Sequence, residues 1–247
     1  MIMTNPKNNM QDLQFYFSIS RYLMADSFPN IPVLFSAGSW YVKNKLRIPL
    51  HRQCVSEIIC DCGSFSVFRR FGKFPYTWEQ YYSWVKTINP KWFATWDKPG
   101  DPISTQKYIE KYSKYGGVPT CQGIEPCDYR AHTKDLKDFN FIAVGNLVRP
   151  GIDRRAILDE ILMEVPQAKL HIWGLSLHKL IAGGELPSNV VSIDSSSWNG
   201  RWGKGIEEYK QNQGKYTQRM YAIKVMIPRY LDKWKQWRSS KGYEDIV

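Results

Sequence analysis

Ile58-Ile59-Cys60-Asp61-Cys62-Gly63-Ser64-Phe65 sets a short apolar, β-rich run against an aspartate and then a glycine. Val190-Val191-Ser192-Ile193-Asp194-Ser195 repeats the arrangement far along the chain. A buried strand that ends in Asp and then Gly or Ser is how barrel and doubly wound proteins carry a carboxylate to the C-terminal rim of a parallel sheet. The two segments therefore predict a parallel α/β fold with two acids at one rim.

Working outward, short β-rich runs alternate with longer helical patterns, the signature of a parallel sheet wrapped by helices. Strands are expected at Leu13 to Ser20, Pro32 to Ser36, Ser56 to Asp61, Trp92 to Asp97, Val118 to Gln122, Phe141 to Gly145, Leu170 to Gly174 and Val190 to Asp194. Helices are expected at Thr77 to Ile88, Ser104 to Tyr115, Tyr129 to Phe139, Asp153 to Val165 and Leu175 to Ala182. Thr77-x-x-Gln80 opens the first of these as a capping box. A long final helix is expected from about Ile206 to Trp237, kinked or split at Pro228. Eight strands in 247 residues predict a (β/α)8 barrel, read as a single domain over 1–247 with a basic helical segment at about 206–247. The first connections look irregular, and no internal repeat or Gly-Ser linker divides the chain.

The formal net charge is +11, and residues 201–247 hold 11 Lys and Arg against 5 Asp and Glu. That bias favours a polyanionic partner, the plainer alternative being a solvated basic helix. The 10 Trp and 15 Tyr could stack on unpaired bases where they alternate with cations, although most are expected in the core. No apolar stretch reaches the roughly 18 to 20 residues that cross a bilayer. Met1 to Lys7 lacks the apolar region of a signal peptide, so a cytoplasmic protein is expected. The 5 cysteines leave one unpaired in any scheme, and Cys60-x-Cys62 with Cys121 and Cys127 lacks the short knuckles of a structural zinc site. Neither a disulfide framework nor a metal is expected.

The residues that follow each strand supply the candidate site. They are Asp61, Asp97, Gln122, Gly145-Asn146, Gly174 and Asp194. Singly, each acid could equally cap a helix or form a turn. Together, two carboxylates at one rim suit glycosyl transfer, one as nucleophile on an anomeric carbon and one as acid and base. Asp97 and Gln122 are the groups that would read a purine edge, the carboxylate accepting from N1–H and an exocyclic amine and the amide reaching a carbonyl. Phe65 could stack on the ring. Trp40, Trp92, Trp96 and Trp173 are expected in core or rim packing, His171 facing core or helix layer, Asp101 as a loop charge, and Asp128 and Asp153 at helix starts.

From about Leu34 to Gly205 these residues resemble the tRNA-guanine transglycosylases and their relatives that place 7-deazaguanine bases in DNA. Asp61-Cys62-Gly63-Ser64-Phe65-Ser66 is similar to the family's Asp-Ser-Gly-Gly-Phe/Tyr-Gln segment, whose Asp contacts the base and serves as general acid/base. Asp97 stands where the family has a base-reading Asp, and Gln122-Gly123 resembles its base-binding Gln-Gly pair. Gly145-Asn146-Leu147 is similar to its Gly-Gly-Leu turn, whose backbone meets the base. Ile193-Asp194, with Asn199-Gly200-Arg201 beyond, resembles its Phe-Asp nucleophile segment. Cys62, Ser64 and Asn146 depart from the family's Ser, Gly and Gly, which bears on pocket size and base choice. No cysteine follows Cys127, so the zinc knuckle of the tRNA-type members is not expected, and neither is their RNA-binding C-terminal domain. In this the chain resembles the compact DNA-modifying relatives, often virus-encoded, which would place it in a host's cytoplasm.

The resemblance implies a base exchange. Asp194 would attack C1′ of a flipped guanine nucleotide, and a free 7-deazaguanine such as preQ0 or preQ1 would enter, with Asp61 taking its N9 proton. Cys62, Phe65, Asp97, Gln122, Gly145 and Asn146 would surround the base, and Arg201 and Lys204 would hold phosphates. No cofactor is required; DNA is the favoured polymer, with tRNA the alternative. Two rivals remain, a hydrolase that uses the same acids with water, and a nucleic-acid-binding barrel without catalysis.

Overall fold

The computed structural model describes residues 13–19, 30–49, 55–182, 186–196 and 221–241. The strands are β1 (Gln14–Ser18), β2 (Pro32–Ser36), β3 (Tyr41–Val42), β4 (Lys45–Leu46), β5 (Glu57–Asp61), β6 (Trp92–Phe93), β7 (Thr120–Cys121), β8 (Phe141–Val144), β9 (Lys169–Ile172) and β10 (Val190–Ser195). The helices are α1 (Ala37–Trp40), α2 (Ser64–Phe71), α3 (Trp78–Ile88), α4 (Pro102–Tyr112), α5 (Pro126–Lys134), α6 (Arg154–Glu164), α7 (Leu177–Ala182) and α8 (Ile227–Ser240). Eight strands form one parallel sheet in the order β6-β5-β2-β1-β10-β9-β8-β7, so an α/β fold with an eight-stranded parallel sheet is present.

The sheet curls until its edges meet, but no ladder closes it. A single parallel bridge pairs Ala94, just after β6, with Val118, just before β7. Thr95 N–H donates to the Val118 carbonyl at 2.9 Å and Val118 N–H to the Phe93 carbonyl at 2.8 Å. A closed (β/α)8 barrel was the expectation, and the two-residue strands β6 and β7 are too short to carry a longer closing ladder. The curl still brings Trp92 of β6 against Phe141 of β8 and His171 of β9, with ring centroids 5.1 and 4.9 Å apart.

Alternation along the strands separates two apolar layers. Phe15, Phe17, Val33, Phe35, Cys60, Ile142, Val144, Leu170, Ile172 and Ile193 face the helices in one large cluster. Tyr16, Leu34 and Ile59 form a second cluster on the opposite face, with Trp92 and Trp173 packed against it. Every second residue of a strand thus turns inward, and the inward series of β5 runs on from Ile59 to Asp61.

Helix ends follow local chemistry. The Thr77–Gln80 capping box forms as expected. Asp153 caps α6 by accepting from Ala156 N–H at 3.0 Å, and Asp128 joins Glu125 in a box at the start of α5. Asp101 is not a loop charge but the N-cap of α4, accepting from Ser104 N–H and pairing with Lys98, each at 2.8 Å. Three early features lay outside the sequence expectations: the short α1 and the β3–β4 hairpin in the irregular connection after β2, and α2, which starts directly after Gly63.

At the C-terminal end a π-helical turn over Ala222–Met226 runs into α8, with Pro228 in its first turn, where a missing N–H costs little. Residues 206–220 of the expected long helix lie outside the described residues. Tyr230 and Trp234 pack on Phe15 of β1 at 5.1 and 5.5 Å, and the Arg238 guanidinium donates to the Leu13 carbonyl at 2.8 Å. The aromatics of this basic helix therefore serve the core, while Lys224, Lys233 and Lys235 stay exposed.

Candidate functional site

The inward alternation ends, strand after strand, at one cavity of about 630 Å³. Asp61 follows Ile59 by two positions, Gln122 follows Thr120, Gly145 follows Ala143, Trp173 follows His171 and Asp194 follows Ser192. Each of these end positions lines the cavity, and Asp97 joins them from the segment after β6.

The Asp61 carboxyl opens to the cavity but is otherwise surrounded by protein. Loss of hydration pushes it from its ordinary 3.8 up to about 7, and the charges of Asp97 and Asp194 add to the rise. The Gly63 N–H and the Ser36 hydroxyl oppose it by hydrogen bonding. Gly63 itself has φ of 76°, and a Cβ there would lie 2.1 Å from the Gly38 nitrogen. Only glycine permits both the left-handed turn and this approach of two backbones. Asp61 thus holds a carboxyl that is close to half protonated near neutrality.

Asp97 is 3% exposed and nearly saturated with donors. The Cys62 thiol donates to Oδ1 at 2.9 Å and the Gln122 amide to Oδ2 at 2.5 Å. Burial raises its pKa, and the hydrogen bonds from Cys62, Ser64 and Gln122 pull against that rise. Gln122 is fixed in turn, its Oε1 accepting from Gly100 N–H at 3.1 Å and its backbone N–H donating to His132 Nδ1 at 3.0 Å. Cys62 does not line the cavity. It is fully buried behind Asp97 on the helix-facing side, and burial and the neighbouring acid hold its thiol well above the ordinary range. Direct base contact by Cys62 is therefore replaced by support of Asp97.

Gly145 lies against the same amide: a Cβ there would fall 2.2 Å from Gln122 Nε2. Its carbonyl accepts from the Tyr129 hydroxyl at 2.9 Å. Asn146 adopts φ of 62°, and its side chain donates to the Gly123 carbonyl at 2.8 Å. Asparagine is among the few residues that tolerate this left-handed conformation, so it can occupy a turn that glycine would otherwise serve. Phe65 stands at the mouth, 61% exposed, as the second residue of α2. Ser64 begins that helix and hydrogen-bonds Asp97.

Asp194 is 5% exposed, and its Oδ1 accepts from Gly174 N–H at 2.8 Å. His171 Nε2 lies 3.4 Å from the same oxygen, and His171 Nδ1 is 2.8 Å from Ser192 Oγ. Burial lowers the imidazole pKa and favours its neutral form. Of the two places expected for His171, core or helix layer, it takes the inner core, because it sits between the outward residues Leu170 and Ile172. That Leu-His-Ile-Trp alternation was the available signal, and it needed the register that pairs His171 with Ser192. Trp40 and Trp96 are core, whereas Trp173 also walls the cavity.

Arg201 and Lys204, with Asn199-Gly200, lie outside the described residues. Among the described residues no three of His, Cys, Asp and Glu gather into a metal-holding group, and no helix is long and apolar enough to cross a membrane. Cys60, Cys62, Cys121 and Cys127 are free thiols. No model of a known protein family matches the chain, and no curated protein matches it.

Proposed function

We propose that the chain is a base-exchange transglycosylase on a (β/α)8-type scaffold, replacing guanine in a nucleic acid by a 7-deazaguanine such as preQ0 or preQ1, with DNA the favoured polymer. The observation that carries this reading is the convergence of Asp61, Asp97, Gln122 and Asp194 on one cavity. Two carboxylates with unlike surroundings are what a double displacement uses, and an acid beside an amide is what reads a guanine edge.

In the first half-reaction a flipped nucleotide enters the cavity, and one Asp194 oxygen attacks C1′ as the C1′–N9 bond breaks. Asp61, protonated in a good fraction of molecules near pH 7, gives its proton to the departing guanine. In the second, the N9–H of the incoming base returns a proton to Asp61, N9 bonds to C1′, and the Asp194 carboxylate is released. Two inversions retain the anomeric configuration. Beside its bonds to Cys62, Ser64 and Gln122, Asp97 keeps about one lone pair for the N1–H or exocyclic amine of the base, and the second Nε2–H of Gln122 would reach the base carbonyl. No cofactor enters the scheme. The net charge of +11 and the exposed Lys224, Lys233 and Lys235 suit a polyanionic strand.

The test is incubation with labelled guanine or preQ0 and either guanine-containing DNA or transfer RNA. Incorporation into DNA that Asp194→Asn abolishes is expected. Incorporation into transfer RNA alone would reassign the polymer, and free guanine without incorporation would indicate a hydrolase. Uptake by neither polymer would sink the reading.

A further inference from the structure

His171 is a fully buried imidazole with one nitrogen engaged and the other 3.4 Å from a carboxylate oxygen. Its ring stands among Tyr16, Trp92 and Trp173, with centroids 6.2, 4.9 and 4.3 Å away, each edge-on. Nδ1 meets Ser192 Oγ at 2.8 Å. Nε2 has no hydrogen bond of good geometry, yet lies 3.4 Å from Asp194 Oδ1. A neutral imidazole has one N–H and one lone pair, and the carboxylate decides between them. A lone pair at Nε2 would oppose the charge of Asp194 in a dry site, whereas an N–H is attracted to it. The Ser192 hydroxyl must then donate to Nδ1.

We infer that His171 is a positioning residue for Asp194: its Nε2–H and the Gly174 N–H together hold Oδ1, leaving Oδ2 as the oxygen that bonds to C1′. The functional half of this inference rests on the transglycosylase reading. When Oδ2 is esterified, Oδ1 becomes the ester carbonyl and its charge falls. When the incoming base displaces the ester, charge returns to the carboxylate, and the two N–H groups stabilise it as the leaving group. No proton leaves His171 at any step. Ser192 acts through the ring by fixing the tautomer.

The sequence holds 4 His, so ring 15N–1H spectra can be assigned by single substitutions in the whole protein. The expected resting state has a pyrrole-type Nε2 and a pyridine-type Nδ1 at His171, and Asp194→Asn shifts the Nε2 signals. Ser192→Ala should introduce the other tautomer. In base exchange, His171→Phe should lower kcat on the order of 10- to 100-fold, the range for a hydrogen bond to a charged group, with KM for the free base little changed. His171→Gln, which can offer an amide N–H, should recover most of that loss. A proton on Nδ1 in the resting protein overturns the inference, as does a His171→Phe enzyme with unchanged kcat, or one whose loss His171→Gln does not repair. If wild-type protein exchanges no base, the transglycosylase reading fails, and the tautomer still decides whether His171 donates to Asp194.

Discussion

The exits of β5 and β10 each bring one carboxylate to the same cavity and surround it differently. At β5, Asp61 is taken out of water beside another acid, and its pKa rises to about 7. At β10, Asp194 meets the Gly174 N–H at 2.8 Å and a buried imidazole at 3.4 Å. Hydrogen-bond donors stabilise an anion, whereas desolvation and like charge favour the neutral acid. Two aspartates from similar strand ends thus have unlike surroundings, which suits the proposed division between proton exchange and nucleophilic attack.

Substitutions at the two aspartates test that contrast. Asp194→Asn should have the largest effect, abolishing exchange by at least about 10⁴-fold, the scale for loss of a covalent nucleophile. Asp61→Asn should reduce exchange by roughly 10²- to 10⁴-fold, as for loss of a general acid or base. For wild type, guanine release in a single turnover should fall as pH rises through about 7, where Asp61 loses its proton, and base capture by a preformed adduct should rise over the same range. Equal pH profiles for the two half-reactions would contradict the assignment of both proton transfers to Asp61.

The same shift has a consequence for folding. The Asp61 pKa is higher in the folded state than its ordinary 3.8, so the folded protein binds this proton more tightly. That contribution is complete below about pH 4 and is lost as pH rises through about 7. Asp61→Asn should therefore gain thermal stability relative to wild type above pH 7 and show little gain at pH 4. Thermal melts at the two pH values would check the sign, and a constant difference would show that Asp61 is not desolvated as described.

Smaller effects should follow from the groups behind Asp97 and Gln122, the proposed base-reading pair. Gly145→Ala puts a Cβ where Gln122 Nε2 now lies, so the amide must move. The expected outcome is a KM for the free base raised roughly 10-fold, the scale of one hydrogen bond to the ligand. Cys62→Val removes a donor from Asp97 and should weaken base binding about 5-fold, whereas Cys62→Ser should restore it. If Cys62→Val leaves base affinity unchanged, its thiol does not set the Asp97 geometry.

The expected strands all have counterparts in the sheet because their apolar runs are bounded by polar or turn-forming residues, and the capping box at Thr77 marked α3 directly. The convergence of Asp61, Asp97, Gln122 and Asp194 was legible because strand ends in a parallel sheet share a rim. What escaped depends on contacts between distant residues. α2 is short and starts on a left-handed glycine without a side-chain cap, so it carries no helix-start signal. Cys62 was read as a base contact because it follows Asp61, yet the turn at Gly63 leaves its thiol behind Asp97. His171 required strand register as well as alternation, since Ser192 lies across from it on a strand 21 residues away. Asn146 looked like a departure from glycine until its positive φ was known.

The most direct measurement is a single-turnover reaction with guanine-containing DNA, quenched in acid and followed by intact mass and peptide mapping. A protein whose mass is increased by the DNA strand less guanine, with the bond mapped to Asp194 and absent in Asp194→Asn, is the predicted result. Labelled base appearing in the DNA with no adduct at Asp194 at any time point, or an adduct that persists in Asp194→Asn, would contradict it.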